Sequence, residues 1–164
     1  DDDGASGDGP VDRPVDDRAW KDLFPGPTRR AVLNWGINRP DTRRLDGAEL
    51  ARCVSADAPG LAAAAWKRPG TVLLRIENPG EQPVTTTLKL DLARLGVKVR
   101  KLWEQFTGVT ALDGRPAAEV VWEQDKDRAE RMVNDGTAAF DGWTGELRLR
   151  LAGGQVRVLS IDTY

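Results

Sequence analysis

The side chains that could carry out chemistry in this sequence are mainly carboxylates. The chain has 164 residues, of which 26 are Asp or Glu, none is His and one is a cysteine, Cys53. Without histidine the chain cannot use Ser-His-Asp or Cys-His catalysis, and it cannot bind a metal through imidazole. A single cysteine also excludes an internal disulfide and a thiolate metal cluster. We therefore expect Cys53 to be a buried structural thiol.

Two pairs of carboxylates lie close together in the sequence, Glu123 with Asp125 and Asp141 with Glu146. Hydrolysis of a glycosidic bond uses two carboxyl groups about 5–10 Å apart. However, a chain with 26 acidic residues contains such pairs by chance, and carboxylates at strand edges and turns are normally solvated. The aspartates of the N-terminal head also lack the spacing of a calcium-binding loop. We therefore expect no catalytic residue, no bound metal and no cofactor.

The six tryptophans are the second informative group of residues. Trp143 lies in a segment bracketed by glycines, Asp141-Gly142-Trp143-Thr144-Gly145, where a side chain can face solvent. Sugar-binding proteins stack the apolar C–H face of a sugar ring on such an aromatic plate. Trp143 and Asp141 are therefore the candidate carbohydrate contacts. The alternative is that Trp143 caps the core.

The other five tryptophans are predicted to be packed. Trp66, Trp103 and Trp122 lie in or beside apolar strand segments, so we expect them in the core or on a sheet. Trp20 and Trp35 precede those segments, and we expect them at an interface with a neighbouring domain. In that case they would leave an apolar patch on the isolated chain.

Charge and hydropathy argue against two classes of function. The chain has 24 Lys and Arg against 26 Asp and Glu, so it lacks the basic excess of a nucleic-acid-binding protein. No apolar run approaches the ~18 residues that a membrane-spanning helix needs. The first 17 residues include seven Asp and have little apolar surface to bury, so we expect a flexible linker or tail there.

Short apolar runs, separated by turn signals such as Asn78-Pro79-Gly80, make up most of the chain. Residues 71–77 and 84–90 are the clearest strands, and residues 50–56 are predicted to be another. Residues 29–38 are predicted to be a strand or a segment packed on a neighbouring domain. In total, roughly nine or ten short strands with little helix predict an all-β fold, an antiparallel β-sandwich or barrel.

Two connections carry specific expectations. Residues 91–95 are predicted to form a short helical turn that Asp91 caps and Gly96 ends. Gly153-Gly154 is predicted to join the last two strands in a tight hairpin.

We predict three parts along the chain from these patterns. Residues 1–25 form an acidic, Gly/Pro-rich flexible head or linker. Residues 26–48 form a connecting segment, and residues 49–164 form the β-sandwich domain.

Three segments carry a resemblance to a known family: residues 72–96 (VLLRIENPGEQPVTTTLKLDLARLG), 101–109 (KLWEQFTGV) and 147–161 (LRLRLAGGQVRVLSI). The chain resembles the C-terminal β-sandwich domain of bacterial glycoside hydrolases, and it is most similar to the C-terminal domain of glycoside hydrolase family 123-like proteins. One departure concerns the family's D-x-W-T-G motif. Its acidic residue is replaced here by Lys101 or displaced to Glu104.

The resemblance implies a non-catalytic accessory domain that packs on and stabilises the catalytic domain of the same polypeptide. The catalytic carboxylates would then lie outside this chain, in a secreted or periplasmic enzyme. Two alternatives remain open, because sandwiches serve many functions. One is a carbohydrate-binding module in which Trp143 holds glycan. The other is an Ig-like adhesion or scaffold domain.

Overall fold

Short strands and tight turns follow one another along the chain, with most of the helix near its N-terminal end. The computed structural model describes residues 17–110, 116–124, 130–131 and 137–163. In chain order the elements are α1 (Asp17–Leu23), α2 (Gly26–Trp35), β1 (Arg43–Leu45), α3 (Gly47–Cys53), β2 (Val54–Ala56), β3 (Ala62–Arg68), β4 (Thr71–Glu77), β5 (Val84–Leu90), α4 (Leu92–Leu95), β6 (Val99–Thr110), β7 (Pro116–Gln124), β8 (Glu130–Arg131), β9 (Ala138–Asp141), β10 (Glu146–Leu151) and β11 (Val156–Thr163).

The strands form two antiparallel sheets. The large sheet has seven strands in the order β1-β3-β4-β11-β6-β7-β8, and the small sheet has four in the order β2-β5-β10-β9. Strand β10 turns one face inward, because it buries Leu147, Leu149 and Leu151 and exposes the residues between them. The predicted antiparallel β-sandwich is confirmed.

The inner faces of the two sheets enclose the main core. Strand β4 contributes Val72, Leu74 and Ile76, which face the buried leucines of β10 across this core. Trp122 of β7 meets Phe140 of β9 edge to face, with ring centroids 5.8 Å apart. The inward faces of both sheets are therefore apolar, which explains the apolar alternation of strands such as β10.

A buried ion pair lies within the large sheet on its core side, and its arginine also reaches a strand of the small sheet. Arg157 of β11 and Glu104 of β6 have side chains only 3% and 1% exposed, and Arg157 Nε donates to Glu104 Oε2 at 2.6 Å. Arg157 Nη1 donates to the carbonyl oxygens of Arg150, at 2.8 Å, and Thr137, at 3.0 Å. Both charges are thus paired and hydrogen-bonded, which a buried charge requires. Glu104 is also the position to which the acidic residue of the D-x-W-T-G motif would be displaced, the alternative being its replacement by Lys101.

Helices α1 and α2 cover the outer face of the large sheet. Trp20, Phe24, Val32 and Ile37 pack there in a second apolar cluster, which includes Trp66 and other sheet residues. The predicted strand at residues 29–38 is therefore wrong, because residues 26–35 form α2.

The register of α2 explains this error. Thr28 and Val32 are buried and Trp35 is half-buried, a spacing of four and three residues that places them on one helix face. Gly36 then ends the helix in the left-handed conformation, with φ of 108°. The run of apolar residues that suggested a strand is thus split between the buried and exposed sides of a helix.

Two further expectations need correction. Residues 50–56 do not form one strand, because α3 continues to Cys53 and only Val54–Ala56 pairs with β5. Gly153-Gly154 does not close a hairpin either. Strand β10 pairs with β5 and β9 in the small sheet, whereas β11 pairs with β4 and β6 in the large sheet. The two glycines therefore carry the chain from one sheet to the other.

The predicted helical turn at residues 91–95 is confirmed. Asp91 Oδ1 accepts a hydrogen bond from the Arg94 amide at 3.1 Å, and Gly96 ends α4 with φ of 70°. In the part of the chain that the structure describes, none of the helices has the length and apolar character needed to cross a membrane.

Candidate functional site

The turn between β9 and β10 presents Trp143 to solvent. Asp141 Oδ1 accepts hydrogen bonds from the backbone amides of Trp143, at 2.8 Å, and Thr144, at 3.3 Å. The Gly145 amide closes the turn by donating to the Asp141 carbonyl oxygen at 2.8 Å. Asp141 therefore shapes the turn from its first position, as aspartates often do.

Two glycines in this turn are required by close contacts. A Cβ at Gly142 would lie 2.3 Å from Cη2 of Trp122, and a Cβ at Gly145 would lie 2.2 Å from the Leu90 carbonyl oxygen. Gly145 also has φ of 84°, which favours glycine. The glycine brackets noticed in the sequence thus let the turn sit directly on the core.

Trp143 itself is 52% exposed. Its ring lies perpendicular to that of Trp122, at 89°, with ring centroids 5.9 Å apart. A perpendicular contact covers at most one face of an indole, so Trp122 supports Trp143 and leaves at least one aromatic face uncovered by this contact. The contact with Trp122 agrees with the alternative that Trp143 caps the core, but the 52% exposure of Trp143 does not.

A shallow cleft of about 470 Å³ lies beside Trp143. Its polar lining consists of Arg52, Ser55, Lys89, Asp91 and Thr144, with Leu90, Leu92 and Ala93 as apolar neighbours. An aromatic plate next to a few hydrogen-bonding groups is the usual composition of a small-molecule site. Such a cleft can bind a polyhydroxylated ligand through one apolar face and several hydroxyl groups.

The charged groups of the cleft are held in place by neighbours. Asp91 caps α4 and its Oδ2 lies 3.3 Å from Arg94 Nε. Lys89 Nζ lies 3.6 Å from Glu146 Oε2, with both side chains exposed. Cys53, the last residue of α3, is buried, and burial raises the pKa of its thiol. The thiol therefore stays protonated and unreactive.

The two predicted interface residues, Trp20 and Trp35, lie on α1 and α2 and pack against the outer face of the large sheet. Trp20 is 1% exposed and packs beside Phe24, within the second apolar cluster of this chain. Trp35 is half-buried, its Nε1 donates to Thr71 Oγ1 at 2.8 Å, and the Arg68 guanidinium lies over its ring at 5.6 Å. Neither indole forms an exposed apolar patch, because the chain's own residues cover them. Contact with another domain stays a prediction.

The remaining tryptophans are packed, as expected. Trp66 and Trp122 are fully buried. Trp103 is half-buried, with Nε1 donating to Asp162 Oδ2 at 2.9 Å and Lys101 Nζ lying 3.9 Å from its ring centroid.

The carboxylate pairs considered from the sequence are engaged in structural contacts where the structure describes them. Asp141 and Glu146 face each other across β9 and β10, but the first shapes the turn and the second neighbours Lys89. Glu123 Oε2 lies 3.3 Å from Lys101 Nζ, and Asp125 lies outside the described residues. Among the described residues, no group of three or more His, Cys, Asp or Glu side chains is arranged to bind a metal.

Sequence reasoning proposed Trp143 and Asp141 as glycan contacts but did not point to the residues of the cleft beside Trp143. Arg52, Lys89 and Asp91 come from α3, from β5 and from the residue before α4. They meet because the Leu90 amide donates to the Gly145 carbonyl oxygen at 2.9 Å and the Asp91 amide donates to the Cys53 carbonyl oxygen at 2.8 Å. No local motif signals such long-range contacts.

Comparison with known proteins does not assign the chain to a family. No model of a known protein family matches the chain. No curated protein matches it either. Among solved structures, a GH30 endoxylanase from Clostridium papyrosolvens C71 is similar at 11% sequence identity and a TM-score of 0.40, over 77% of this chain. The chain spans 24% of that enzyme's length. Resemblance to the family 123-like domain therefore stays a prediction.

Proposed function

We propose that this chain is a non-catalytic β-sandwich module of a carbohydrate-active enzyme and that it holds glycan at Trp143. The observation that carries the proposal is the half-exposed indole on a turn that is anchored to the core. A rigid aromatic plate can bind the C–H face of a sugar ring at little entropic cost, because its own position is already determined by the fold.

The cleft beside Trp143 supplies hydrogen-bonding groups, which the face of the indole ring lacks. Sugar hydroxyl groups need both donors and acceptors, and the cleft offers the ammonium of Lys89, the carboxylate of Asp91 and the hydroxyl of Thr144. Lys89 lies on β5, Asp91 caps α4, and Thr144 lies in the turn that carries Trp143. The fold therefore determines the positions of these groups relative to the indole. The proposed site is therefore built by the fold and not by a flexible loop alone.

A second role, packing of the sandwich on the catalytic domain of the same polypeptide, is favoured by the attachment of α1 and α2. Arg75 Nε donates to the Leu23 carbonyl oxygen, and Arg68 Nη1 donates to the Trp35 carbonyl oxygen at 2.6 Å. Two sheet arginines thus bind the C-terminal ends of both helices, where carbonyl oxygens are otherwise unsatisfied. Helices held in this way would form a stiff connector to a catalytic domain that precedes them.

Glycan binding by the 164-residue chain tests the first role. Affinity electrophoresis against neutral, uronate-containing and sulfated polysaccharides identifies a bound polymer, and calorimetry with its oligosaccharides gives the affinity. We expect Trp143→Ala to weaken that affinity about ten-fold or more, because the sugar loses its aromatic partner.

Leu33→Ala is the matched control. Leu33 is the other large apolar side chain exposed in the described residues, at 45%, and it lies on α2. We expect this variant to bind as tightly as the parent chain. The proposal is wrong if no polysaccharide binds, or if Trp143→Ala and Leu33→Ala bind with equal affinity.

A further inference from the structure

The outward face of the small sheet carries a row of cations next to the Trp143 cleft. Arg148 and Arg150 of β10 are exposed and point away from the core, since they alternate with buried leucines. Opposite them on β5 lie Thr87 and Thr85, and Ala139 of β9 lies opposite Arg148. Small neighbours on both sides leave room around the two guanidinium groups.

A depression of about 320 Å³ occupies this part of the face. Its lining includes Thr85, Thr137, Ala139, Arg148 and Arg150. The hydroxyl groups of the two threonines add neutral donors and acceptors to the two charged side chains. The depression is therefore polar and basic, unlike the core on the other side of the same strands.

Neither guanidinium group has a protein partner in the described part of the chain. Two described carboxylates of the same sheet have other partners: Glu146 Oε2 lies 3.6 Å from Lys89 Nζ, and Asp141 accepts two amides of its own turn. Asp57, at the edge beyond β5, accepts the Thr87 amide and the Thr86 hydroxyl. Among residues 17–110, 116–124, 130–131 and 137–163, no carboxylate therefore pairs with these two like charges, which lie about 7 Å apart along one strand face.

The cationic row and the cleft form one continuous strip. Along β10 and β5 the cross-strand pairs run from Arg150 with Thr85, through Arg148 with Thr87, to Glu146 with Lys89. Lys89 also lines the cleft beside Trp143. The five residues from Glu146 to Arg150 span roughly 14 Å of strand. This length suits an extended oligosaccharide that starts at the indole and passes over both arginines.

We infer that this strip binds an acidic glycan. Trp143 stacks on one sugar ring, and Arg148 and Arg150 pair with carboxylate or sulfate groups further along the polymer. This inference rests on the proposed function and names its ligand class. The guanidinium fork binds a carboxylate or sulfate through two parallel hydrogen bonds, which neutral hydroxyl groups cannot match.

The test compares four polymers on the 164-residue chain: a neutral xylan, polygalacturonate, a sulfated polysaccharide and single-stranded DNA. We expect the acidic polysaccharides to bind most tightly, and Arg148→Gln with Arg150→Gln to weaken their binding about ten-fold or more. Rising salt should weaken it as well. The charge-matched control changes Lys21 and Arg30, on α1 and α2, to Gln and should bind as the parent chain does.

The outcomes separate this inference from the function on which it rests. Preference for polygalacturonate or for the sulfated polymer supports the inference and identifies the acidic group. If xylan binds through Trp143 and the arginine variant binds equally well, the acidic ligand is wrong and the glycan site stands. Tighter binding of single-stranded DNA than of either acidic polysaccharide overturns the inference. Loss of binding in the control variant also overturns it, because bulk charge would then explain the affinity.

Discussion

The two sheets of the sandwich differ in what covers their outward faces. The large sheet presents Trp66, Leu73 and Val158 outward, and helices α1 and α2 bury them. The small sheet presents Arg148, Arg150 and Thr85, and its depression opens to solvent. The helices therefore cover the apolar outward face of the large sheet, whereas the basic outward face of the small sheet is open to solvent.

This difference shows where function can reside in the molecule. A face covered by the chain's own helices contributes to stability, because its apolar side chains no longer meet water. An open face contributes little to stability, so its side chains can be chosen for binding. The tryptophans divide in the same way, with Trp20 buried on the large sheet and Trp143 half-exposed at the end of the small one.

Replacing Trp20 gives the largest expected difference between the faces. We expect Trp20→Ala to lower the free energy of unfolding by about 3–5 kcal/mol, because it leaves a cavity between α1 and the large sheet. Chemical denaturation measures this change. Trp143→Ala, which removes the same side chain from the open side, should cost less than about 1.5 kcal/mol, since chiefly the Trp122 contact is lost. Equal costs for the two substitutions would break the comparison.

Gly142→Ala tests how closely the open turn is joined to the core. We expect it to lower the free energy of unfolding by about 1–3 kcal/mol, because the new methyl group would overlap the Trp122 ring. It should also weaken glycan binding by moving Trp143. Gly26→Ala is the control, since nothing lies within 4 Å of a Cβ at that position. Full stability in Gly142→Ala would show that the turn moves independently of Trp122.

The smallest expected effect concerns Asp57 at the edge of the small sheet. The Thr87 amide and the Thr86 hydroxyl donate to its carboxylate and hold the pKa of Asp57 below its ordinary value of 3.8. The ionised form is thus favoured in the folded state. Its contribution to stability is present above pH ~4 and is lost as pH falls through the lower folded pKa.

Asp57→Asn should therefore be slightly less stable than the parent chain near neutral pH and should approach it in acid. Thermal denaturation between pH 7 and pH 2 measures this convergence. Glu49→Gln is a comparison near the large sheet, because Arg43 donates to Glu49 and lowers the pKa of that carboxyl. A difference between parent and Asp57→Asn that stays constant with pH would exclude the titration of Asp57 as its cause.

Local pattern predicted the strands well and the connections less well. Residues 84–90 alternate Thr with apolar side chains because one face meets the core, and β5 covers just those residues. Residues 31–37 contain enough apolar side chains for either a strand or a helix, and packing against Trp66 selected the helix. Glycines at 153 and 154 permit a tight turn, but they do not say which sheet the next strand joins.

The candidate site was predictable only in part. Gly142 and Gly145 indicated a turn that could expose Trp143, since glycine permits conformations and close contacts that other residues do not. Arg148 and Arg150 appeared in the sequence as ordinary outward residues of an amphipathic strand. Their partners across the sheet, Thr87 and Thr85, lie about sixty residues away, and only strand pairing brought them together.

The sequence by itself determined the chemistry that this chain can use and the period of its strands. A chain without histidine and with one cysteine has few catalytic options, and apolar residues that alternate with polar ones indicate strands with one apolar face. The tertiary structure alone decided which sheet each strand joined, which outward face the helices covered, and which tryptophan met solvent. The physical reason is that burial depends on partners distant in the chain, and the sequence pattern of an element does not name its partner.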